Sequence, residues 1–397
     1  MATKHPRDIT MLSATERGAI EAVISQGEAS RATIGDLLAL SVPRVSRVTG
    51  DLIEEGFLAP TGEVQRGSGR PVQPLQVVAT RACTIGIKLT GEAAYAVLMN
   101  LGGEVVATSV RTFESTDVDD VVADIELMVA ELSEKSRPSM IGISLAATVD
   151  PNGRGVHDAS YLRWASAPLA DLVGQVTGVP TVLSNDVNAL TLVEHWFGAG
   201  QGHDDVAVVT IGTGVGCGLI ANGELVHGLG GRSGLIGHMI VDRSGPLCDL
   251  GHRGCLAAFA TIPSIVRQLS GYGLGGDFAD LAQHAVEGHP AAERVFVDAA
   301  VATGTVLAYV VNILGPQRLI LTGDGIAINA VAGEHLDAAY REHLHWRAAQ
   351  TEVVVQGLDF EEWARGAATV ALRAVLRGEA EAPVVATDDA STTEAAQ

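Results

Sequence analysis

The segment VTIGTGVGCG, residues 209–218, predicts a strand, a glycine-rich turn and a second strand. The turn residues Gly212, Thr213 and Gly214 would expose backbone N–H groups that can cradle a diphosphate. Alone, such a turn does not distinguish a phosphate loop from an ordinary glycine-rich hairpin. Its surroundings are more informative, because from residue 81 onward strand patterns alternate with helix patterns. That alternation indicates an α/β architecture with a largely parallel sheet.

Apolar periodicity places these elements along the chain. The predicted strands are 84–89, 94–100, 140–145, 181–184, 206–211, 217–221 and 318–322. The predicted helices are 118–133, 168–177, 188–196, 262–269, 289–314 and 360–377.

Length and composition limit the classes of protein. The 397 residues are enough for two or three domains, and 47% hydrophobic residues exclude wholesale disorder. Four cysteines argue against a disulfide scaffold and favour the cytoplasm, since no apolar leader opens the chain and no membrane-spanning run is visible. The net charge is −21, but residues 1–80 carry only −1 of it. Any contact with DNA must therefore come from those residues.

Residues 1–80 are predicted to form three helices and a hairpin. Ser13 with Glu16 fits a capping box, and Ser30 and Ser41 are placed to cap the second and third helices. Three short helices followed by a two-stranded hairpin are typical of a winged helix-turn-helix DNA-binding domain. The plainer alternative is a small helical domain with solvated arginines.

The third helix would enter the major groove of double-stranded DNA, and the hairpin tip would approach a phosphate or the minor groove. Arginine can fork onto guanine, and serine or threonine can reach bases or phosphates. The predicted DNA-binding residues are Arg44, Ser46, Arg47 and Thr49, on the face opposite Val45, Val48 and Leu52, with Arg66 and Arg70 at the tip.

Further motifs join the glycine-rich turn. Residues 183–186 (LSND) end a strand at Asp186, which can accept a proton from a hydroxyl or simply start a helix. Residues 234–238 (GLIGH) and 248–255 (CDLGHRGC) follow. Together with the motifs at 69–71 (GRP), 150–151, 162–164 (LRW), 178–180 and 185–189 (NDVNA), they resemble the ROK family of sugar kinases and sugar-responsive repressors.

The resemblance runs from about residue 13 to residue 377. It implies a winged helix-turn-helix (1–80) followed by a two-lobed actin-like (ribonuclease H-like) ATPase domain, with lobes at 81–200 and 201–377 and a disordered acidic tail at 378–397. Family members with such a head are usually repressors, and those without it are usually kinases. We therefore expect a transcriptional regulator that works as a homodimer or larger homo-oligomer on a palindromic operator.

Departures from the family pattern argue against an enzyme. Lys88 occupies the position of the acid in the kinase phosphate loop, Thr90 replaces a glycine, and Asp324 replaces one glycine of the late adenosine motif. Asp186 matches the catalytic base and would be vestigial, since phosphoryl transfer needs positioned phosphates and Mg²⁺. We expect no ATP/Mg turnover. The alternative is a sugar kinase with an accessory DNA-binding head.

The sugar site that the resemblance implies is also altered, because Leu235 and Ala257 stand where the family has glutamates. Two lost charged hydrogen bonds would cost roughly 3–6 kcal/mol of binding. Asn185, Asp186 and His238 remain as possible effector contacts. The effector would be less polar, bound weakly or absent. In the last case a protein partner could control the regulator instead.

The family's zinc motif survives in part. The resemblance implies His238, Cys248 and Cys255 as ligands, with Leu250 at the position of a further cysteine. His252, Asp249 or water could complete a tetrahedron. The alternative is a degenerate loop without metal. A last expectation concerns Lys88, which would face Asp186 across the cleft and lock the two lobes by an ion pair.

Overall fold

The computed structural model describes residues 7–62, 73–349 and 351–379. The N-terminal head contains three helices and a small antiparallel sheet. Its elements are α1 (Ala14–Gln26), α2 (Arg31–Leu37), α3 (Val42–Glu54), β1 (Leu58–Pro60) and β2 (Leu75–Val77). Arg66 and Arg70, the predicted tip of the wing, lie outside the described residues, as does the tail beyond Glu379.

The helix starts of the head follow the capping rules. The Glu16 backbone N–H donates to Ser13 Oγ at 3.3 Å, and Glu16 Oε2 accepts the Ser13 N–H at 2.7 Å, which confirms the capping box. Ser30 Oγ accepts the Thr33 N–H at 3.1 Å. Ser41 occupies the N-cap of α3 without a side-chain cap bond.

Two five-stranded sheets form the body. The first has the strand order β10-β6-β3-β4-β5, the second β13-β12-β11-β14-β15, and a small third sheet holds β7-β8-β9. Their bounds are β3 (Cys83–Leu89), β4 (Ala93–Asn100), β5 (Val105–Thr112), β6 (Ile141–Leu145), β7 (Thr148–Val149), β8 (Val156–Ala159), β9 (Trp164–Ala167), β10 (Thr181–Asn185), β11 (Val206–Ile211), β12 (Val215–Ala221), β13 (Glu224–Leu225), β14 (Arg318–Thr322) and β15 (Val353–Val355).

The expectation of a largely parallel sheet was wrong, because both large sheets are mixed. Hairpins join β3 to β4 and β11 to β12, so these neighbours run antiparallel. Within the described residues, the parallel pairs are those of β10-β6-β3 and β11-β14-β15. A three-residue turn permits only an antiparallel return, whereas a parallel return needs a crossover.

Helices cover both sheets. They are α4 (Val118–Ser133), α5 (Leu169–Thr177), α6 (Asp186–Phe197), α7 (Leu256–Ala260), α8 (Ile262–Ser270), α9 (Phe278–Val286), α10 (Pro290–Leu314), α11 (Ala327–His343) and α12 (Phe360–Arg377). By length and hydropathy alone α10 could span a membrane, but 61% of its apolar window is buried inside the fold. It packs there as the central helix of the second lobe.

The last helix, α12, packs closely on β3 and β6 of the first sheet. A Cβ on Gly86 of β3 would lie 2.0 Å from the Ala364 carbonyl oxygen, and one on Gly142 of β6 would lie 1.9 Å from that of Ala367. Only glycine permits this approach of helix and sheet. The expected second lobe of residues 201–377 therefore needs correction, because the chain returns to the first lobe for its final 18-residue helix.

The head shares a hydrophobic core with the first lobe. Ile20 and Val23 of α1 belong to the same buried cluster as Leu372 and Leu376 of α12, and Trp196 of α6 completes it. The position of the head is therefore defined by the body and not only by the chain that links them.

Candidate functional site

The exposed face of α3 carries three of the predicted DNA-binding residues. Arg44, Ser46 and Arg47 are solvent-exposed, while Val45 and Val48 between them are buried in the head. Arg44 Nη2 lies 3.4 Å from Thr15 Oγ1, at the surface. The first two turns of α3 thus present two guanidinium groups and a hydroxyl to the outside.

Thr49 does not belong to this face, and its prediction as a DNA contact was wrong. Thr49 is fully buried. Its Oγ1 donates to the Val45 carbonyl at 2.9 Å and accepts a hydrogen bond from Arg31 Nε at 3.0 Å. The physical reason is the helical repeat, since a residue four positions after buried Val45 points to the same side. Thr49 instead joins α3 to α2.

In the body, Lys88 and Asp186 form the expected ion pair. Lys88 Nζ lies 2.6 Å from Asp186 Oδ2, and both side chains are almost completely buried. The Val187 N–H donates to the other carboxylate oxygen at 2.9 Å, and Lys88 Nζ lies 5.0 Å from the centre of the Trp363 ring. The pair therefore has both charges compensated within a desolvated site.

The pair does not lock one lobe to the other. Lys88 is on β3 and Asp186 directly follows β10, and both strands belong to the first sheet. That part of the expectation was wrong, because two carboxyl ends of parallel strands in one sheet meet at the same edge.

The other predicted effector residues have structural partners. Asn185 caps α6, with its Oδ1 accepting the Val187 and Asn188 N–H groups at 3.0 and 3.4 Å, and its Nδ2 donates to the Ala147 carbonyl at 3.3 Å. His238 is exposed and faces the cysteine cluster described below. Contact of either residue with an effector stays a prediction.

The glycine-rich turn at Gly212, Thr213 and Gly214 faces a residue that the sequence did not single out. Tyr161, in the turn between β8 and β9, lies against Gly91, where an added Cβ would be 2.9 Å from the Tyr161 carbonyl oxygen. Its hydroxyl donates to Thr213 Oγ1 at 3.3 Å. Tyr161 thus bridges the first lobe and the turn of the second lobe.

Four potential metal ligands converge in the second lobe. The ligand atoms of His238, Cys248, His252 and Cys255 all lie within 4.8 Å of one another. Cys248 Sγ lies 3.7 Å from Nδ1 of each histidine, and Cys255 Sγ lies 3.6 Å from His238 Nδ1. Tetrahedral zinc with two nitrogens and two sulfurs would separate N from S by about 3.6 Å. The four side chains therefore fit a structural zinc ion.

His252 is the fourth member of this cluster. Leu250, at the position where the resemblance implied a cysteine, is exposed, whereas His252 two residues later belongs to the cluster. Partial desolvation of its ring and the neighbouring His252 lower the pKa of His238, which favours the neutral imidazole that binds metal. Burial also raises the pKa of the Cys255 thiol, so binding zinc would have to displace its proton.

A small cavity of about 270 Å³ lies where α6 and the segment before α12 connect the two lobes. Glu194 lines it and is almost fully buried, with its carboxylate accepting from the Ala199 N–H at 3.0 Å and from Gln356 Nε2. Burial raises the pKa of Glu194. No sequence motif marked this residue, because only the tertiary fold buries it.

Comparison with known proteins places this architecture. The ROK family model matches residues 84–374, so the chain belongs to the ROK family. The DNA-binding transcriptional repressor Mlc of Escherichia coli is 27% identical over 343 residues, covering 81% of this chain and 84% of Mlc. A glucokinase of Thermotoga maritima is 35% identical over 187 residues, and the match spans only 59% of that enzyme.

Among solved structures, a ROK family transcriptional regulator described as a homologue of E. coli Mlc superimposes with a TM-score of 0.76. The match covers 92% of this chain and 97% of that one at 24% identity, and thus supports the fold, head included. With a regulator head in front of a ROK body, and repressors similar over most of its length, this chain is a transcriptional regulator of the family.

Proposed function

We propose that this regulator binds a double-stranded DNA operator through its head and represses transcription. The observation that carries the proposal is the exposed row of Arg44, Ser46 and Arg47 on α3. The acidic body would repel DNA and so confine its contact to the head. Arg66 and Arg70, which the sequence predicts at the tip of a wing, are proposed to add phosphate or minor-groove contacts. Paired heads in a homodimer or larger homo-oligomer would read a palindromic site in the cytoplasm.

Selection of genomic fragments by the purified chain at near-physiological salt tests this proposal. We expect one palindromic site to be enriched, and the enrichment to vanish in Arg44→Ala/Arg47→Ala. The matched control is Arg294→Ala/Arg341→Ala, which removes two arginines from the exposed surface of the second lobe. Enrichment that ignores the α3 arginines, or none at all, would refute the proposal.

We propose further that the body has lost phosphoryl transfer. The support is Lys88, whose ammonium sits on the carboxylate that a kinase would use as base. The ammonium occupies a carboxylate oxygen that a substrate hydroxyl would have to reach, and the same cation repels Mg²⁺. ATP turnover with hexoses and amino sugars should be absent. Turnover by the wild-type chain would instead support the sugar-kinase alternative.

We propose that His238, Cys248, His252 and Cys255 hold one zinc ion with a structural role. When bound, the metal would stabilise the loop that contains these ligands. Two isolated β-bridges, Ile240–Cys255 and Leu247–Arg253, lie in the same loop. Metal analysis should find about one zinc per chain. His252→Ala should lose it, while Cys217→Ser, a buried cysteine in the core, should retain it.

The cleft is proposed to bind a small effector of lower polarity than a free sugar, since exposed Leu235 and half-buried Ala257 offer no charge there. Calorimetry with simple hexoses tests this proposal. Micromolar binding would refute it, and an operator complex indifferent to all metabolites would favour control by a protein partner.

A further inference from the structure

Three parts of the molecule meet at the end of α12. Arg377, the last residue of that helix, donates from Nε and Nη2 to Glu21 Oε1 at 3.0 and 2.7 Å. The same guanidinium donates from Nη1 and Nη2 to the two carboxylate oxygens of Glu224 at 2.7 and 2.8 Å. Glu21 belongs to α1 of the head and Glu224 to β13 of the second sheet, so one side chain links the head, the final helix and the second lobe.

We propose that Arg377 is a positioning residue that makes the orientation of the DNA-binding head depend on the position of the second lobe. A guanidinium can serve both carboxylates at once because its five N–H donors lie in one plane. A shift of β13 relative to α12 would break the hydrogen bonds between Arg377 and Glu224 (the Glu224 arm) and leave those between Arg377 and Glu21 (the Glu21 arm). The head would then keep its apolar contact with α12 but lose a restraint on its angle.

Two neighbouring arginines make further hydrogen bonds around Arg377. Arg373, one turn earlier on α12, donates to Glu224 Oε2 at 2.7 Å and is itself mostly buried. Arg17 of α1 donates from Nε to the Leu376 carbonyl at 3.1 Å, beside the end of the helix. The hydrogen bonds from Arg377 lower the pKa of Glu224, so its carboxylate stays charged near neutral pH.

The Glu224 arm distinguishes coupling between the head and the second lobe from simple docking of the head on the body. Head and body also meet through Gln201 Nε2, which donates to the Ile24 carbonyl at 3.1 Å, and through the Gly202 N–H, which donates to the Ser25 carbonyl at 3.1 Å. Those contacts come from the linker before β11. Glu224 acts on the head through Arg377, and it is 57% exposed, so salt should weaken its effect.

Hydrogen exchange of the full-length chain tests the coupling without DNA. Glu224→Gln removes a charge from the second lobe only, yet we expect amides of α1 to exchange about two- to fivefold faster, the range for a partly exposed ion pair. The matched control is Glu352→Gln, an exposed glutamate of the same lobe that pairs with Arg318 at 3.1 Å. It should leave exchange in α1 unchanged.

Arg377→Lys supplies the readout that a merely structural role would not move. Lysine keeps the charge but cannot serve both carboxylates, so this variant should match Glu224→Gln in head exchange. Unchanged α1 exchange in folded Glu224→Gln, or wild-type behaviour of Arg377→Lys, would overturn the proposal.

The inference rests on the proposed DNA binding for its meaning, but the two fail separately. If fragment selection finds no operator while Glu224→Gln loosens α1, the coupling stands and the proposed ligand of the head is wrong. If an operator is found, Glu224→Gln should also broaden the accepted spacing between half-sites, whereas Glu352→Gln should not.

Discussion

The buried pair of Lys88 and Asp186 predicts a specific pattern of stabilities. Lys88 is 6% exposed and Asp186 9%, so removal of either partner leaves a charge out of water. After Lys88→Met the carboxylate keeps only the Val187 N–H among its described side-chain and backbone donors. Losing one member of such a pair costs about 3–5 kcal/mol, whereas replacing both members by neutral groups is nearly neutral.

A double-mutant cycle measures this pattern by denaturant unfolding. Lys88→Met should lose about 3–5 kcal/mol, Asp186→Asn a similar amount, and the double variant only about 1–2 kcal/mol. Asparagine at 186 is chosen because it can still accept the Val187 N–H. Lys135→Met, at an exposed lysine, is the control and should change the stability by less than about 0.5 kcal/mol.

Additive losses of stability would contradict the ion pair. If the double variant loses the sum of the two single losses, the two charges do not compensate each other and the site is not an ion pair in solution. A Lys88→Met variant as stable as the wild-type chain would have the same meaning.

Three further predictions concern single positions. Burial raises the pKa of Glu194 in the folded state, so the folded chain binds a proton more readily than the unfolded chain. The free energy of unfolding should therefore fall as the pH rises from the ordinary glutamate range. Glu194→Gln should flatten this dependence of stability on pH, whereas Glu334→Gln, at an exposed glutamate, should not. Gly86→Ala should destabilise the body by about 3 kcal/mol or more because its Cβ would meet α12, whereas Gly214→Ala, with nothing within 4 Å, should melt like the wild type. Thr49→Val should lower the stability of the head by about 1–2 kcal/mol in denaturant unfolding, while Arg47→Ala should leave unfolding unchanged and weaken operator binding by about 1–3 kcal/mol in a titration.

Local rules predicted much of the fold. The helix pattern at 118–133 and 360–377 and the strand patterns at 206–211 and 318–322 match the observed bounds, because each has an uninterrupted apolar period between clear breaks. The small sheet at β7-β8-β9 was missed, since strands of two to four residues contain too few positions for a period to show.

The candidate sites divide along the same line. The exposure of Arg44 and Arg47 follows from the helical repeat alone, while their contact with DNA stays a prediction. The same repeat, applied to Val45, would have shown that Thr49 is buried. The sequence left His252 as one of several possible zinc ligands, because only the conformation of the loop brings it to the cysteines. Tyr161, Glu194 and Arg377 depend on contacts between distant segments, so no local pattern could mark them.

The final helix connects the buried ion pair with the DNA-binding head that we propose. Near its start, Trp363 lies against Lys88, and at its end Arg377 holds Glu21 of the head. Fourteen residues of α-helix separate these positions, which corresponds to about 21 Å. Since α12 also packs closely on β3 and β6 through Gly86 and Gly142, it cannot bend without disturbing the sheet. A change in the cleft beside Lys88 therefore has a stiff route to the head, because the Lys88–Asp186 ion pair lies near one end of α12 and Arg377 lies at the other.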